Sequence, residues 1–353
     1  MNEPRKYLGD TVEVKAAHHV DVATLQAYFD RHLPGFEGPL SIRQFEGGQS
    51  NPTYLLDTPG RRYVMRRKPP GVLLASAHAV DREFRVMKAL FDQGFPVPEP
   101  LLYVEDSAPA GSPFYVMSHV EGRIFLDCRM PDIGAQERAA IYDAVNATLA
   151  RLHGFDPAAI GLGDYGRPGN YFARQVDRWS RQYRASETRA IPAMDRLIEW
   201  LPTALPPAGD TRVIHGDYSF HNLIIHPTEP RVVGVIDWEL STTGDPLGDF
   251  FYHAMEWYRP AIDERGTLRD ADLAALGIPD LETYARRYFD RLGRAMPSDL
   301  RFFKAFNLFR VAAILQGVAA RAIEGNAAAA DAGLMADRVP LLADAAWEEV
   351  TAG

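Results

Sequence analysis

Two polar motifs on either side of a short predicted β-hairpin constrain this chain more than any other feature. The first, VIHGDYSFHN, contains Asp217 and, five residues later, Asn222; the second, VVGVIDWE, places Asp237 at the end of an apolar strand. A Pro-Thr-Glu-Pro turn separates the predicted strands at 222–225 and 232–236. A hairpin of this kind lets a second carboxylate reach the metal that the first motif binds.

These three oxygen-bearing side chains suit phosphoryl transfer to a hydroxyl group. That reaction needs a carboxylate that orients the attacking hydroxyl, and hard oxygen ligands that hold magnesium against the phosphates. The spacing predicts Asp217 as the catalytic carboxylate, with Asn222 and Asp237 as ligands of Mg²⁺. Each residue taken singly could equally cap a turn, but the linked set favours the catalytic interpretation.

The N-terminal third predicts a small antiparallel sheet with one helix packed on it. Short apolar runs between turns of Gly, Pro and Ser give five strands: SIRQF, TYLLD, RRYVMRR, LLYV and PFYVMSHV. Apolar residues at helical spacing predict a helix at 81–91, between the third and fourth strands, and a shorter one ahead of the sheet at 22–33.

After Gly122 the pattern becomes mainly helical apart from the hairpin. Helical spacing recurs in five segments: 136–153, 170–183, 193–201, 281–292 and 300–323. In TGDPLGDF, the pair Asp245-Pro246 predicts a helix start with Asp245 as its cap, which favours a structural function for Asp245 and Asp249. The alternative is that the two form a second pair of carboxylates near the cleft. We therefore predict an α+β chain with two lobes, a sheet lobe at 1–121 and a larger, mainly helical lobe at 122–353.

The motifs HGDYSFHN and IDWE resemble the catalytic and metal-binding motifs of the aminoglycoside phosphotransferase and choline kinase superfamily, and the resemblance covers about 42–320. It implies a protein-kinase-like fold and transfer of the γ-phosphoryl group of ATP, with Mg²⁺, to a hydroxyl of a small organic substrate. By this match Asp217 steers or accepts the hydroxyl proton, and His215 supports the loop through a backbone hydrogen bond. Trp238 and Glu239 replace the rest of the protein-kinase Asp-Phe-Gly motif, which leaves Glu239 a structural function.

The resemblance also implies a nucleotide site in the sheet lobe. The segment FEGGQSNPTY lies between two strands, where a loop would cover the phosphates, and its glycines allow backbone amides to approach an anion. The candidate residues in this loop are Gly47, Gly48, Gln49, Ser50 and Asn51. A plain hairpin turn would use the same glycines. The chain has no G-x-x-x-x-G-K-[ST] sequence, so a P-loop enzyme is disfavoured.

The strand YVMRR supplies a cation for the α- and β-phosphates. Arg66 matches the lysine or arginine of the family, and Glu83 in VDREFRVM matches the helix glutamate that holds it. Because Arg67 and Lys68 follow directly, strand alternation decides which side chain faces the nucleotide. The alternative is a surface salt bridge.

The segment FYVMSHVEG resembles the strand and hinge that join the two lobes. By the match, the Ser118 carbonyl and the Val120 amide would pair with the adenine edge, and Met117 would lie behind the ring. The alternative is an ordinary buried strand, because side-chain identity matters little in such a hinge.

Three further segments resemble the kinase-like domain that one branch carries fused to acyl-CoA dehydrogenases: GQSNPTY, RRKPPG with SAHAVDRE, and DYGRPGNYFARQVDRWSRQY. This resemblance implies a hydroxylated acyl substrate, as a hydroxyacyl-CoA or hydroxy fatty acid, and a functional link to acyl-CoA dehydrogenases. A basic, aromatic helix suits such a substrate, and its candidates are Tyr171, Arg174 and Arg178. A solvated basic face is the alternative.

Two other functions stay open. An aminoglycoside or amino-alcohol kinase would need an acidic pocket, for which the acid-rich run 263–280 is a candidate, although loops and helix caps explain it equally well. A catalytically silent nucleotide-binding regulatory module is disfavoured because Asp217, Asn222 and Asp237 are all present.

Composition and charge limit which partners and which cell compartment we expect for the chain. A net charge of −9 argues against nonspecific nucleic-acid binding. The apolar stretch 311–320 is too short to span a bilayer, and the N-terminus lacks the apolar core of a secretory signal. The single cysteine, Cys128, excludes an internal disulfide and fits a reducing compartment. We expect a cytoplasmic protein with no nucleic-acid or membrane partner.

Overall fold

A computed structural model describes residues 9–46, 51–69, 79–167, 169–323 and 332–352. The chain forms two compact units. The first contains Met1–Phe125 and Phe220–Ser241, and the second contains Leu126–Ser219 and Thr242–Gly353. The division at residue 121 stays a prediction about domains; these units differ from it because the hairpin that follows Asp217 packs with the sheet.

The first unit is built on an antiparallel sheet that has six strands within the described residues. Its strands are β1 (Thr11–Val12), β2 (Ser41–Phe45), β3 (Thr53–Asp57), β4 (Arg62–Arg67), β5 (Pro100–Val104) and β6 (Phe114–Ser118), and its helices are α1 (Val22–His32) and α2 (Val80–Phe91). The order across the sheet is β1-β2-β3-β4-β6-β5. The predicted strands and helices are thus present, and β1 is an additional edge strand.

The core of this unit forms where α1 packs on the sheet. Leu25 and Phe29 of α1 are fully buried with Tyr54, Phe114 and Val116 of the strands. The other helix, α2, packs against β5 and β6. One charged side chain of α2 is also buried, which requires a partner inside the unit.

The predicted hairpin is present as β8 (Leu223–Ile225) and β9 (Val232–Val235). It attaches to the sheet unit through backbone hydrogen bonds: Arg123 and Ile225 exchange two, at 2.7 and 2.8 Å, and the Val235 N–H donates to the Pro96 carbonyl at 2.7 Å. The approach is close enough that a Cβ on Gly122 would clash with the Ile225 carbonyl oxygen. The hairpin is therefore held in a defined position within the first unit.

The second unit is mainly helical. Its helices are α3 (Ala135–Gly154), α4 (Tyr171–Ala185), α5 (Pro192–Trp200), α6 (Pro246–His253), α7 (Leu273–Leu276), α8 (Leu281–Leu292), α9 (Arg301–Ile323) and α10 (Ala332–Thr351). The strands β7 (Arg212–Ile214) and β10 (Thr242–Gly244) form a short antiparallel ribbon. The five predicted helices correspond to α3, α4, α5, α8 and α9, whereas the ribbon and α10 were not indicated by the sequence.

Helix α9 is the central helix of the second unit and contacts α4, α6 and α10. The apolar stretch at 311–320 is part of this longer helix, which among the described residues is the one long and apolar enough to cross a membrane by length and composition. Of its most apolar window, 67% is buried inside the protein. That burial is typical of the core helix of a globular protein, so the helix is weak evidence for a membrane span.

We predict that Gly122→Ala destabilises the first unit. The added methyl group forces the backbone at residue 122 away from the Ile225 carbonyl, and overpacking of this kind costs roughly 1–3 kcal/mol. Urea unfolding measures the change. Gly60→Ala is the matched control, because a Cβ there has no neighbour within 4 Å among the described residues. Equal stability of the two variants would contradict the close contact.

Candidate functional site

In the first unit, one arginine joins three carboxylates. Arg66 of β4 places its Nε 3.0 Å from Glu83 Oε2, while its Nη2 lies 2.8 Å from Asp237 Oδ1 and 3.0 Å from Glu239 Oε2. Strand β4, helix α2 and the segment after β9 therefore meet at a single guanidinium. The predicted pairing of Arg66 with Glu83 is present, and Glu239, for which the sequence suggested a structural function, belongs to the same cluster.

Glu83 is the buried acidic residue of α2, with 1% of its surface exposed. Asn51 Nδ2 and Tyr115 Oη each donate a hydrogen bond of 3.0 Å to its carboxylate. Burial raises the pKa of Glu83 to about 7, and the charge of Arg66 opposes that rise. Burial by itself would lower the pKa of Arg66, but the surrounding carboxylates raise it above its ordinary value, so the guanidinium stays charged.

Arg67, the other candidate cation, points away from this cluster. Its guanidinium donates to three backbone carbonyls at 2.5–3.3 Å and lies 5.5 Å from the centroid of the Tyr54 ring. Successive side chains of a strand point to opposite faces of the sheet. Arg66 is consequently the one of the pair that reaches Glu83.

The two predicted metal ligands lie at the base of the hairpin. The Ile236 N–H donates to the Asn222 carbonyl at 3.0 Å, and Asp237 comes next in the chain. Asp237 has a φ of 65°, a left-handed conformation that non-glycine residues rarely adopt and that costs about 1–3 kcal/mol. The hairpin thus holds Asp237 in a strained backbone conformation, with its carboxylate beside Arg66.

The donor set of this unit fits a magnesium ion. Asp237 and Glu239 both lie beside the one cation Arg66, and carboxylate oxygens are the hard ligands that Mg²⁺ prefers. Among the described residues, no group of three or more His, Cys, Asp or Glu side chains is arranged to hold a metal by itself. An ion held here would take its other ligands from phosphates and water.

In the second unit, Asp249 of α6 holds the loop that carries Asp217. Asp249 accepts hydrogen bonds from the N–H groups of His215 and Gly216, the latter at 2.7 Å. Gly216 has a φ of 86°, which residues with a Cβ rarely adopt. His215 Nδ1 accepts from the Asp217 N–H at 3.2 Å, which is the backbone support predicted for this histidine.

Asp249 is almost fully buried, yet it stays ionised. Burial would raise its pKa, but the hydrogen bond with His153 and the Gly216 amide hold the pKa below its ordinary value. Asp245 caps α6 by accepting from the Leu247 N–H at 2.9 Å, as predicted. The sequence predicted a structural function for Asp249 but not its contact with the loop of Asp217; a signal for it is the lone acidic residue within the apolar segment PLGDFFYH.

Tyr252 of α6 is a further residue that the sequence did not indicate. Its hydroxyl lies close enough to the side chain of Asp217 for the two groups to interact. Burial raises the pKa of Tyr252 above its ordinary value and the charge of Asp217 adds to this, while Arg265 and Arg310 oppose it. The tyrosine therefore stays protonated beside the candidate catalytic carboxylate.

The predicted hinge residues lie at the end of β6. Met117 pairs with Val64 and Ser118 with Tyr63 of β4, and the Ser118 hydroxyl accepts from the Glu99 N–H at 2.9 Å. Val120 follows the strand and is half-buried. The assignment of Met117, Ser118 and Val120 to adenine binding stays a prediction.

The remaining candidates have different surroundings. Tyr171 is 8% exposed and packs where a Cβ on Gly244 would meet its ring, and burial raises its pKa to about 12. Arg174 donates to the Arg167 carbonyl at 2.9 Å, and Arg178 is exposed. Their substrate contacts stay predictions. Of the residues predicted to cover the phosphates, Asn51 donates a hydrogen bond to Glu83, and the other four candidates lie outside the described residues: Gly47, Gly48, Gln49 and Ser50.

The sheet unit with its buried Arg–Glu pair and the helical unit with its Asp-bearing loop define a kinase-like phosphotransferase fold. The sequence profile of the family described as "Phosphotransferase enzyme family" matches residues 41–297. The chain therefore belongs to this family, and the α+β, kinase-like fold predicted from the motifs is confirmed.

Curated relatives add a second similarity. The chain is 46% identical over 337 residues to acyl-CoA dehydrogenase family member 10 of Mus musculus, covering 94% of this chain and 31% of the relative. It is 45% identical over 353 residues to acyl-CoA dehydrogenase family member 11 of Gallus gallus, covering 96% of this chain and 44% of the relative. The chain thus spans less than half the length of these relatives, and the predicted resemblance to the kinase-like domain of that branch is confirmed.

Solved structures agree on the fold. A protein from Ralstonia eutropha JMP134, provisionally named an aminoglycoside phosphotransferase, has a TM-score of 0.87 and 47% identity, covering 95% of this chain and 99% of that one. A choline kinase from Cryptosporidium parvum has a TM-score of 0.64 and 12% identity, covering 94% and 97%. The second similarity concerns the fold alone.

We predict that Asp249→Asn weakens the loop that carries Asp217. The asparagine side chain has one accepting oxygen and one donating NH₂ group, so it cannot accept from both the His215 and Gly216 amides. Leaving a buried amide unsatisfied and removing the charge opposite His153 costs about 2–4 kcal/mol in the free energy of unfolding, measured in urea. Asp280→Asn is the control, because Asp280 caps α8 on the surface and asparagine caps equally well. Equal losses of unfolding free energy in the two variants would show that Asp249 does not hold the loop of Asp217.

Stability should also depend on pH through His253 of α6. This side chain is buried, contacts Tyr284 Oη at 2.8 Å, and burial lowers its pKa to about 4. Between the unfolded pKa near 6.5 and about 4, the unfolded chain binds a proton that the folded chain does not. The free energy of unfolding therefore falls as the pH decreases through this window, by up to about 3 kcal/mol.

Urea unfolding at intervals from pH 7 to pH 4.5 measures this dependence. The variant His253→Gln should lose stability at pH 7 but show a shallower pH slope than the unchanged protein. The same slope in both proteins would show that His253 is not the titrating group.

Proposed function

We propose that the protein transfers the γ-phosphoryl group of ATP, with Mg²⁺, to a hydroxyl group of a small organic substrate. The observation that carries this proposal is the Arg66 cluster, in which a strand cation is held between Glu83 and Asp237. A nucleotide kinase needs a cation for the phosphates next to a carboxylate for the metal, and both are within 3.0 Å here. Membership of the phosphotransferase family supports the same reaction.

The residues of the first unit would bind the nucleotide. Arg66 would donate to the α- and β-phosphates through its fork-shaped guanidinium. Asn222 and Asp237 would hold Mg²⁺, which when bound supplies neutralisation of the charge on the phosphates. Met117, Ser118 and Val120 would border the adenine.

In the second unit, Asp217 would orient the acceptor hydroxyl and take up its proton as the phosphoryl group is transferred. The protonated Tyr252 hydroxyl lies beside this carboxylate. Asp249 would preserve the loop conformation through the amides on the N-terminal side of Asp217. Transfer then depends on positioning, as is typical of phosphoryl transfer.

For the acceptor we propose a hydroxyacyl-CoA or hydroxy fatty acid. The support comes from the relatives named acyl-CoA dehydrogenase family members, which match 94–96% of this chain. We also propose a functional link to acyl-CoA dehydrogenases, because the matching region covers only 31–44% of those proteins and the remainder of them would supply that activity.

An aminoglycoside or amino-alcohol kinase is the second candidate, favoured by the name of the Ralstonia eutropha protein. A polycationic substrate calls for free carboxylates, and the acid-rich run at 263–280 offers few. Asp263 pairs with Arg265 at 2.7 Å, and Asp272 and Asp280 cap α7 and α8. These carboxylates already have structural functions, so the acyl substrate ranks first.

An acceptor panel tests the function. The protein is incubated with ATP and Mg²⁺ beside hydroxyacyl-CoAs of varied hydroxyl position, free hydroxy acids, aminoglycosides and choline, and the phosphorylated product is identified by mass spectrometry. We expect phosphate on a hydroxyacyl compound. Phosphate on an amino-alcohol alone would reject the acyl acceptor, and nucleotide binding without transfer to any acceptor would instead support a silent regulatory module.

The variant Asp217→Asn tests which carboxylate performs the reaction. It should lower turnover about 100- to 10,000-fold, because the hydroxyl loses its proton acceptor, while calorimetry still detects ATP binding. Asp210→Asn is the matched control in the same unit, since Asp210 is exposed and paired with Arg212. Equal turnover by both variants would remove the assignment of Asp217.

A further inference from the structure

Arg310 of α9 contacts the loop that carries Asp217. It is 6% exposed, and its Nη2 donates to the carbonyl of Gly216 at 2.7 Å. Its guanidinium carbon also lies 5.0 Å from the centroid of the Tyr252 ring and 5.9 Å from that of Trp179. One buried cation thus contacts the residue before Asp217 and lies over the ring of the tyrosine that neighbours the Asp217 carboxylate.

The charge of Arg310 is not balanced by a carboxylate. Among the described residues none forms an ion pair with it, and its Nε, which is buried, has no hydrogen-bond partner there. Burying a cation in this way is costly, and proteins normally pair it. Arg265, the other arginine near Tyr252, shows the usual arrangement because it is paired with Asp263.

Trp179 connects Arg310 to the exposed surface of α4. The guanidinium of Arg178 lies 4.9 Å from the same indole ring, and the Arg178 side chain is exposed. Two other arginines of α4 are neutralised: Arg181 pairs with Asp177 at 2.6 Å, and Arg184 pairs with Asp195 at 2.6 Å. Arg178 and Arg310, which both lie over the Trp179 ring, have no such carboxylate partner among the described residues.

We propose that Arg310 is a positioning residue that couples recognition of the acceptor to Asp217. It holds the loop through the Gly216 carbonyl and the Tyr252 ring. Together with Arg178, its charge makes this side of the loop selective for hydroxyl compounds that also carry an anionic group, a phosphate or a carboxylate. This inference rests on the proposed phosphotransferase function and names the chemistry of its acceptor.

The physical reason is electrostatic. An anionic acceptor that brings its hydroxyl to Asp217 and to a nucleotide triphosphate approaches two negative groups. A positive charge placed in the protein interior, where screening is weaker than in water, offsets that repulsion. A neutral acceptor gains less from the same charge, so Arg310 discriminates between the two classes.

Matched acceptors measure this discrimination. One hydroxyacyl group is presented as its CoA thioester, which carries phosphates, and as its N-acetylcysteamine thioester, which is neutral; the free hydroxy acid and its methyl ester form a second pair. We expect Arg310→Gln to lower kcat/KM for the anionic member of a pair about 10- to 100-fold more than for the neutral member. Arg310→Lys keeps the charge and should restore most of the preference.

The pairs also identify the recognised group. A selective loss in the CoA pair alone points to the phosphates, and a selective loss in the acid and ester pair alone points to the carboxylate. An equal loss on both members of each pair would show that Arg310 only stabilises the loop, and would overturn the proposal. Arg286→Gln is the control, because Arg286 is exposed and paired with Glu282 at 2.6 Å.

Two further measurements keep the test decisive. If Arg310→Gln does not fold, as judged by urea unfolding, the surface variant Arg178→Gln takes its place with the same expected loss. If no acceptor is phosphorylated, the proposed function fails, and calorimetry with coenzyme A alone decides the inference. Binding weakened about 10-fold or more by either variant supports an anion-selective site, whereas unchanged or undetectable binding overturns it.

Discussion

A charged side chain can be buried only if other groups stabilise its charge. Both the Arg66 cluster of the first unit and the Asp217 loop of the second unit follow from that constraint. In the first unit Glu83 lies inside the sheet unit because Arg66, Asn51 and Tyr115 surround its carboxylate. Arg66 in turn reaches Asp237. The buried pair thereby links α2 and β4 to the base of the hairpin, where the predicted metal ligands lie.

The second unit satisfies the same constraint with backbone amides. Asp249 accepts from two successive N–H groups and contacts His153, which stabilises an ionised carboxylate without a lysine or arginine. The amides that it fixes belong to the residues just before Asp217. The loop of the candidate catalytic carboxylate is therefore positioned by a buried acid on helix α6, and Tyr252 of the same helix lies beside the Asp217 side chain.

Much of the fold could be predicted because apolar periodicity and turn residues act locally. The five sheet strands, the hairpin and five long helices follow from such patterns, as does Asp245 as the cap of α6. The β7–β10 ribbon could not be predicted in this way, because three-residue strands carry too few residues to show a period. In the site, strand alternation indicates that Arg66 and Arg67 differ in direction, but not which of them faces α2.

By itself the sequence determined the family, the kinase-like fold and the identity of the candidate residues Asp217, Asn222, Asp237, Arg66 and Glu83, because motif spacing is a property of the chain. Only the tertiary structure decided which buried groups act on them. Glu239 contacts Arg66, and Tyr252 lies beside Asp217. Asp249 and Arg310 instead bind the backbone just before Asp217, across long separations in sequence. Such contacts depend on how distant segments pack and on the low dielectric of the interior that results. A local sequence pattern indicates neither.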